Sequence, residues 1–292
     1  MSTPEIQWYP GHIAKAERAL ANQLSRVDVI LEVRDARIPL ATRYPGMDQW
    51  IGEKASVLIL NRVDMITPEA KTAWDAWFRA QGEVPYFTNA QHGQGINAVT
   101  KAAQTAGAAM NQRRQNRGML PRPVRAVVIG FPNVGKSALI NRLLKRKAVA
   151  SARRAGVTRQ LRWVRISGDL DLLDAPGVIP SHLNDQQAAL KLAICDDIGE
   201  AAYDTQRVAA AFIDLVQALQ VEQGLTLYSQ ALCDRYSLVP EDLTGESFLA
   251  LLAEKSFQQD AERAARRILD DFRTGALGPL PLEWPPSSVP SE

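Results

Sequence analysis

Between Val84 and Gly168 the chain holds no aspartate or glutamate, although 16 of its lysines and arginines lie there. The remainder carries 18 basic residues against all 32 acidic ones, a balance of −14, so the overall charge of +2 conceals a strong polarisation. Such a segment suggests a surface facing nucleic acid, with part of the charge serving bound phosphates; a plain solvated face is the alternative. Cysteine is almost lacking. Cys195 and Cys233 stand far apart without metal-ligand spacing, which excludes a cysteine framework and reads as buried thiols in a reducing compartment. No apolar run approaches the roughly 20 residues that span a bilayer. The opening "MSTPEIQWYPGH" lacks the basic and apolar regions of a signal peptide, so a cytoplasmic location is expected. No internal repeat is present.

What is there is enough for two ordinary domains: 292 residues, 46% of them hydrophobic. Short β-branched runs, "VDVILEVRDA" (27–36), "ASVLILNRVD" (55–64) and "VPYFT" (84–88), read as buried parallel strands. Helical spacing lies between and after them, at 13–25, at 68–82 with Thr67 as N-cap and Pro68 in the first turn, and from 96 to 110. The segment 111–123, rich in Arg, Gly and Pro, reads as a connector. "VRAVVIG" (124–130) is a further strand followed by a helix at 138–146, and 161–167 with 170–175 reads as a hairpin turning at Gly168 and Asp169. Beyond about Asn184 only helical spacing is left. The expectation is therefore an α/β domain with a doubly wound, mostly parallel sheet over 1–183, an all-helical domain over 184–277, and a disordered Pro-rich tail over 278–292.

"LILNRVD" (58–64) takes an apolar strand into Asn61 and Asp64, a pair whose spacing suits the reading of a guanine base. No phosphate loop precedes it. One follows it: "GFPNVGKS", Gly130 to Ser137, comes off a strand and opens a helix, the context that gives G-x-x-x-x-G-K-[ST] its meaning. Gly130 and Gly135 permit a tight loop of N–H groups, Lys136 would neutralise β and γ oxygens, and the Ser137 hydroxyl would meet Mg²⁺. Thr158, in "RRAGVTRQ", is a candidate switch residue. "DAPG" offers Asp174 for Mg²⁺ through water and the Gly177 N–H for the γ-phosphate. With the phosphate half downstream of the base half, one sheet can hold both if the domain is circularly permuted, the old termini being rejoined through 111–123.

The order Asn61-x-x-Asp64, Asn89-Ala90, Gly130 to Ser137, Thr158 and Asp174 to Gly177 resembles that of the circularly permuted P-loop GTPases. "WYPGHIAKA" (8–16), "DARIP" (35–39) and "RRILDDFRTGALG" (266–278) resemble the ribosome biogenesis GTPase A (YlqF-like) family in particular. The resemblance implies a Mg²⁺-dependent GTPase that binds the large (50S) ribosomal subunit and its rRNA late in assembly, aided by the helical domain, with no membrane or DNA partner. It further implies that Asp64 accepts from guanine N1 and N2, that Asn61 supports the base site, and that the Ala90 N–H meets O6. Rejection of adenine would follow from the cost of an unpaired buried carboxylate. Arg62 stands where the family commonly has Lys and is bulkier. Val178 follows Gly177 where many GTPases keep a water-orienting Gln. The family's catalytic position falls on His12, which could orient the attacking water or be a structural His beside a Pro-Gly turn; His92 and His182 are weaker candidates. Asn133 resembles the Asn that supports K⁺ in potassium-stimulated GTPases, with Val134 beside it in the phosphate loop.

Two other readings stay open on the residues alone: a GTPase switch acting on a protein partner, and a P-loop kinase or ATPase. The acid-free segment favours an RNA-facing factor over the former, and Asn61 with Asp64 argues against the latter.

Overall fold

The computed structural model describes residues 6, 22–144, 162–174 and 185–286. Six strands form one sheet: β1 (Val29–Asp35), β2 (Ala55–Asn61), β3 (Pro85–Thr88), β4 (Val124–Ile129), β5 (Arg162–Ser167) and β6 (Leu170–Asp174), in the order β3-β2-β1-β4-β6-β5. All neighbours are parallel except the β5–β6 hairpin. β1 is buried at all seven positions, as expected of a strand covered on both faces. Beginning at β4 rather than β1 would put the phosphate loop first and the base motif after it without moving a strand. The fold is that of a circularly permuted P-loop GTPase domain followed by helices.

Helices cover the sheet. α1 (Met47–Ile51) is a short turn that the sequence did not announce. α2 (Pro68–Ala80) starts as expected, Thr67 accepting from the Ala70 N–H at 3.2 Å. α3 runs from Ile96 to Asn116 and so takes in the first six residues of the expected connector. "NQRRQN" contains no residue that breaks a helix, and the chain turns only at Gly118, whose φ is +72°. Gly107 lets α3 lie directly on β4: a Cβ there would stand 2.4 Å from Val124. α4 (Lys136–Leu143) follows the phosphate loop. The expected helix at 13–25 lies almost wholly outside the described residues.

From Gln186 every described element is helical: α5 (Gln186–Ile194), α6 (Thr205–Gln223), α7 (Leu227–Tyr236), α8 (Gly245–Ser256) and α9 (Ala261–Thr274). Asp185, Asp204, Thr244 and Asp260 cap α5, α6, α8 and α9 through side-chain oxygens. The apolar faces of α6, α8 and α9 meet, and their core is continuous with that of the sheet domain.

The expectation of a disordered tail from 278 is corrected as far as Pro286. Leu280, Leu282 and Glu283 are buried. The Leu282 and Glu283 N–H groups donate to the Arg37 carbonyl at 2.9 and 3.1 Å, and Tyr228 Oη donates to the Pro281 carbonyl at 2.7 Å. Trp74 Nε1, from α2, donates to the Glu283 carbonyl at 3.3 Å. A Pro-rich stretch cannot build an element of its own, but an extended strap lying across two domains needs no periodicity. Residues 287–292 lie outside the described residues.

Candidate functional site

The phosphate loop leaves β4 at Gly130 and enters α4 at Lys136. Both glycines are required by their neighbours: a Cβ at Gly130 would lie 2.2 Å from the Val33 carbonyl oxygen, and one at Gly135, where φ is +102°, would lie 2.1 Å from Asn61 Nδ2. Lys136, 8% exposed, curls back so that Nζ donates to the Phe131 carbonyl at 2.6 Å, placing its charge inside the loop. Ser137 follows in the first turn of α4, half-buried. Asp174 ends β6, and its backbone pairs with Val128, two residues before Gly130.

The base motif converges on the same loop. β1 and β2 run in register so that Asp35 lies beside Asn61. Asn61 is 4% exposed and acts as a three-way latch. Its Nδ2 donates to the Val134 carbonyl at 2.8 Å, while Oδ1 accepts from Thr88 Oγ1 and from the Ala90 N–H, both at 3.0 Å. Arg62 takes a left-handed conformation (φ 64°), and its guanidinium donates to the Asn133 carbonyl at 2.8 Å. Asp64 lies in the short 3₁₀ turn Val63–Met65 and is exposed. Asn89 Oδ1 accepts from the His92 N–H at 3.0 Å and rounds the next turn.

Two of the expected groups are engaged within the protein. The Ala90 N–H points at Asn61 rather than out toward a base edge, because a buried amide takes the nearest acceptor. Asn133, itself left-handed at φ 57°, donates its side-chain amide to the Asp196 carbonyl at 2.5 Å, which turns it toward the helical domain. His92 is exposed. His12, Thr158, Gly177, Val178 and His182 lie outside the described residues, as does the side chain of Asp174.

Sequence reasoning missed the residues that brace the site from outside its motifs. Arg142 of α4 donates from Nε to the Ala90 carbonyl at 3.1 Å and from Nη2 to the Gln91 carbonyl, clamping the loop after β3. Thr88 carries no motif signature beyond standing next to Asn89. Asp35 and Arg37 form a fully buried pair, with Oδ2 to Nη2 at 2.7 Å, beside Arg62. "DARIP" was a signal for them, but its chemistry was not.

The comparisons with known proteins bear on this geometry. A family model described as 50S ribosome-binding GTPase matches residues 125–229. A protein of Bacillus pumilus named ribosome biogenesis GTPase A is 33% identical over 97% of this chain and 99% of its own length. The protein of that name from Bacillus cereus is 34% identical over 96% of this chain and 94% of its own. The chain belongs to the ribosome biogenesis GTPase A family. Two solved structures of YlqF from Thermotoga maritima, GDP-bound and GNP-bound, share its fold. Their TM-scores are 0.64 and 0.61, at 23% and 22% identity, over 92% of this chain and 99% and 98% of theirs.

As a ribosome biogenesis GTPase A family member, the protein binds GTP and hydrolyses it to GDP and phosphate in the service of ribosome biogenesis. Family membership also implies Mg²⁺, and the residues fit it. Among the described residues no group of three or more His, Cys, Asp or Glu could hold a metal. An ion carried mainly by nucleotide phosphates and water needs no such cluster and would be touched by one hydroxyl and one carboxylate. Ser137 opens the helix directly after Lys136, and the Asp174 backbone pairs with Val128 on the strand that leads into the loop. A bound Mg²⁺ there would neutralise charge on the phosphate oxygens.

Proposed function

We propose that this GTPase binds the precursor of the large (50S) ribosomal subunit, promotes its late maturation in the cytoplasm, and is released when GTP is hydrolysed. The observation that carries the reading is the acid-free stretch from Val84 to Gly168, whose 16 basic residues include Arg113 and Arg117 at the exposed end of α3. Phosphate-rich rRNA is the partner such a stretch fits, and the description of the matching family model agrees with it. In this reading Gly130, Asn133, Val134, Gly135, Lys136 and Gly177 surround the phosphates. Ser137, Thr158 and Asp174 hold Mg²⁺. Asp64 reads guanine, framed by Asn61, Arg62, Asn89 and Ala90, and the order of Thr158 and of the loop after Asp174 reports the γ-phosphate.

His12 orients the attacking water, since Val178 cannot. His12→Ala should lower subunit-stimulated turnover while leaving GTP affinity nearly unchanged; unchanged turnover removes it from the mechanism. K⁺ near Asn133 would add positive charge to the transition state, and exchanging KCl for NaCl tests it.

Co-sedimentation with purified ribosomal subunits, in GDP and in a non-hydrolysable GTP analogue, tests the whole proposal. Binding to the large subunit in the analogue state, weakening steeply with salt and accompanied by stimulated hydrolysis, is expected. Absence of subunit binding in both states overturns it in favour of a switch for a protein partner.

A further inference from the structure

Asp35 closes β1 with no exposure to solvent, yet its carboxylate serves two guanidiniums. Oδ1 accepts from the Arg37 N–H at 2.9 Å and from Arg37 Nε at 3.0 Å, and Oδ2 from Arg37 Nη2 at 2.7 Å. Oδ2 also faces Arg62 Nε at 3.3 Å. Arg62 is thus held at both ends, its Nε on Asp35 and its Nη2 on the Asn133 carbonyl of the phosphate loop. A lysine, with a single nitrogen at its tip, offers no such two-point bridge. Burial pushes the Asp35 carboxyl up, but the charges of Arg37 and Arg62 outweigh it and hold the group below the usual carboxylate range.

The other guanidinium belongs to the domain interface. Arg37, fully buried, donates from Nη2 to the Cys195 carbonyl at 3.3 Å and lies 5.1 Å from the ring centre of Phe272 on α9. Its carbonyl receives the N–H groups of Leu282 and Glu283. The carboxyl group of Asp197, on the connection after α5, is buried nearby, and its oxygens find no hydrogen-bond partner among the described residues. The phosphate loop itself reaches the same connection, through Asn133 to the Asp196 carbonyl. A buried ion pair is weak support for stability, because desolvation offsets most of the attraction. One that reaches from an interdomain contact to a half-exposed arm over the nucleotide loop has a use that packing alone does not supply.

We propose that Asp35 is a positioning residue for nucleotide binding: it holds Arg62 against the phosphate loop and, through Arg37, couples that arm to the helical domain and the strap at Leu282–Glu283. Nucleotide affinity then depends on a carboxylate that never meets the nucleotide, and occupancy of the site is felt at the domain interface.

The test is a cycle read by titration with fluorescent GDP. Asp35→Asn alone leaves Arg37 buried without its partner and can fail to fold, so the pair is replaced together as Asp35→Asn with Arg37→Leu. The folded double variant should bind GDP about tenfold more weakly, the scale of one lost charge-assisted contact. Adding Arg62→Met to it should weaken binding no further, whereas Arg62→Met in the native background should cost about the same tenfold. Affinity within twofold of native in the folded double variant, or full additivity with Arg62→Met, overturns the positioning role. Hydrogen exchange reads the coupling. GDP should slow exchange at Leu282 and Glu283 in the native protein and not in the double variant, and exchange indifferent to GDP in the native protein overturns the link to the helical domain.

Discussion

Replacement of Asn61 by alanine should damage the site more than any single contact with the base could. Three bonds end on this side chain, and their other ends are buried: Val134 and Thr88 are 0% and Ala90 is 2% exposed. Asn61→Ala therefore strands a carbonyl, a hydroxyl and an N–H in the interior. At about 1 to 3 kcal/mol for each buried group left unpaired, the loss comes to about 3 to 9 kcal/mol, toward the lower end where water enters. That is a large share of the 5–15 kcal/mol typical of a folded protein, so the variant should fold but melt early. The phosphate loop and the loop after β3 lose their shared tie, and GDP affinity should fall by at least tenfold. Thr88→Val, which removes one of the three bonds and keeps the shape, serves as the partial perturbation and should cost about 1 kcal/mol. Urea unfolding gives the stability and fluorescent GDP titration the affinity. A loss below about 1 kcal/mol for Asn61→Ala, with affinity within twofold of native, would refute the latch.

Gly135→Ala should abolish measurable GDP binding, since it combines a φ of +102° with a methyl 2.1 Å from Asn61 Nδ2; retained binding by calorimetry would mean the loop relaxes. Glu283→Ala removes the acceptor of the Leu40 N–H at 2.7 Å and of Lys191 Nζ at 3.1 Å, and should destabilise by about 3 kcal/mol in thermal unfolding. Burial, then the charge of Asp35, holds the Asp197 carboxyl well above its ordinary range, so the folded protein keeps a proton that the unfolded chain releases. This stability is complete below the unfolded value near pH 4 and is lost as pH rises toward the folded value. Asp197→Asn should accordingly stabilise the protein at neutral pH, with a gain that shrinks to nothing in acid; a gain independent of pH would show that the carboxyl is not protonated in the fold.

Much of the sheet and the two halves of the nucleotide site were legible because their signals are local. Continuous apolar runs mark β1, β2 and β4, and Gly130 to Ser137 is a contiguous loop whose glycines answer to steric demands within it and on the strands beside it. The exposed place of Asp64 was legible for the same reason, since a polar residue just past a strand's end meets solvent. What escaped depends on distant partners. That Asn61 would hold Val134, Thr88 and Ala90 together follows from the order of strands, not from its neighbours in sequence. The Ala90 N–H was expected at the base because the motif names the residue, while competition from an intramolecular acceptor appears only in three dimensions. The strap at 280–284 escaped because its proline content speaks against an element of its own and says nothing about a surface made elsewhere to receive it.

That strap also sets an order of assembly. Leu40 and Glu283 are separated by 243 positions, so the loop after β1 cannot acquire its final acceptor until the helical domain has been synthesised and folded. The strands of the sheet can pair earlier, but the segment carrying Asp35 and Arg37 waits for chain made long after it. If Asp35 positions Arg62 as proposed, a growing chain that has not yet made Glu283 holds its nucleotide arm without the last support of the segment that carries Asp35.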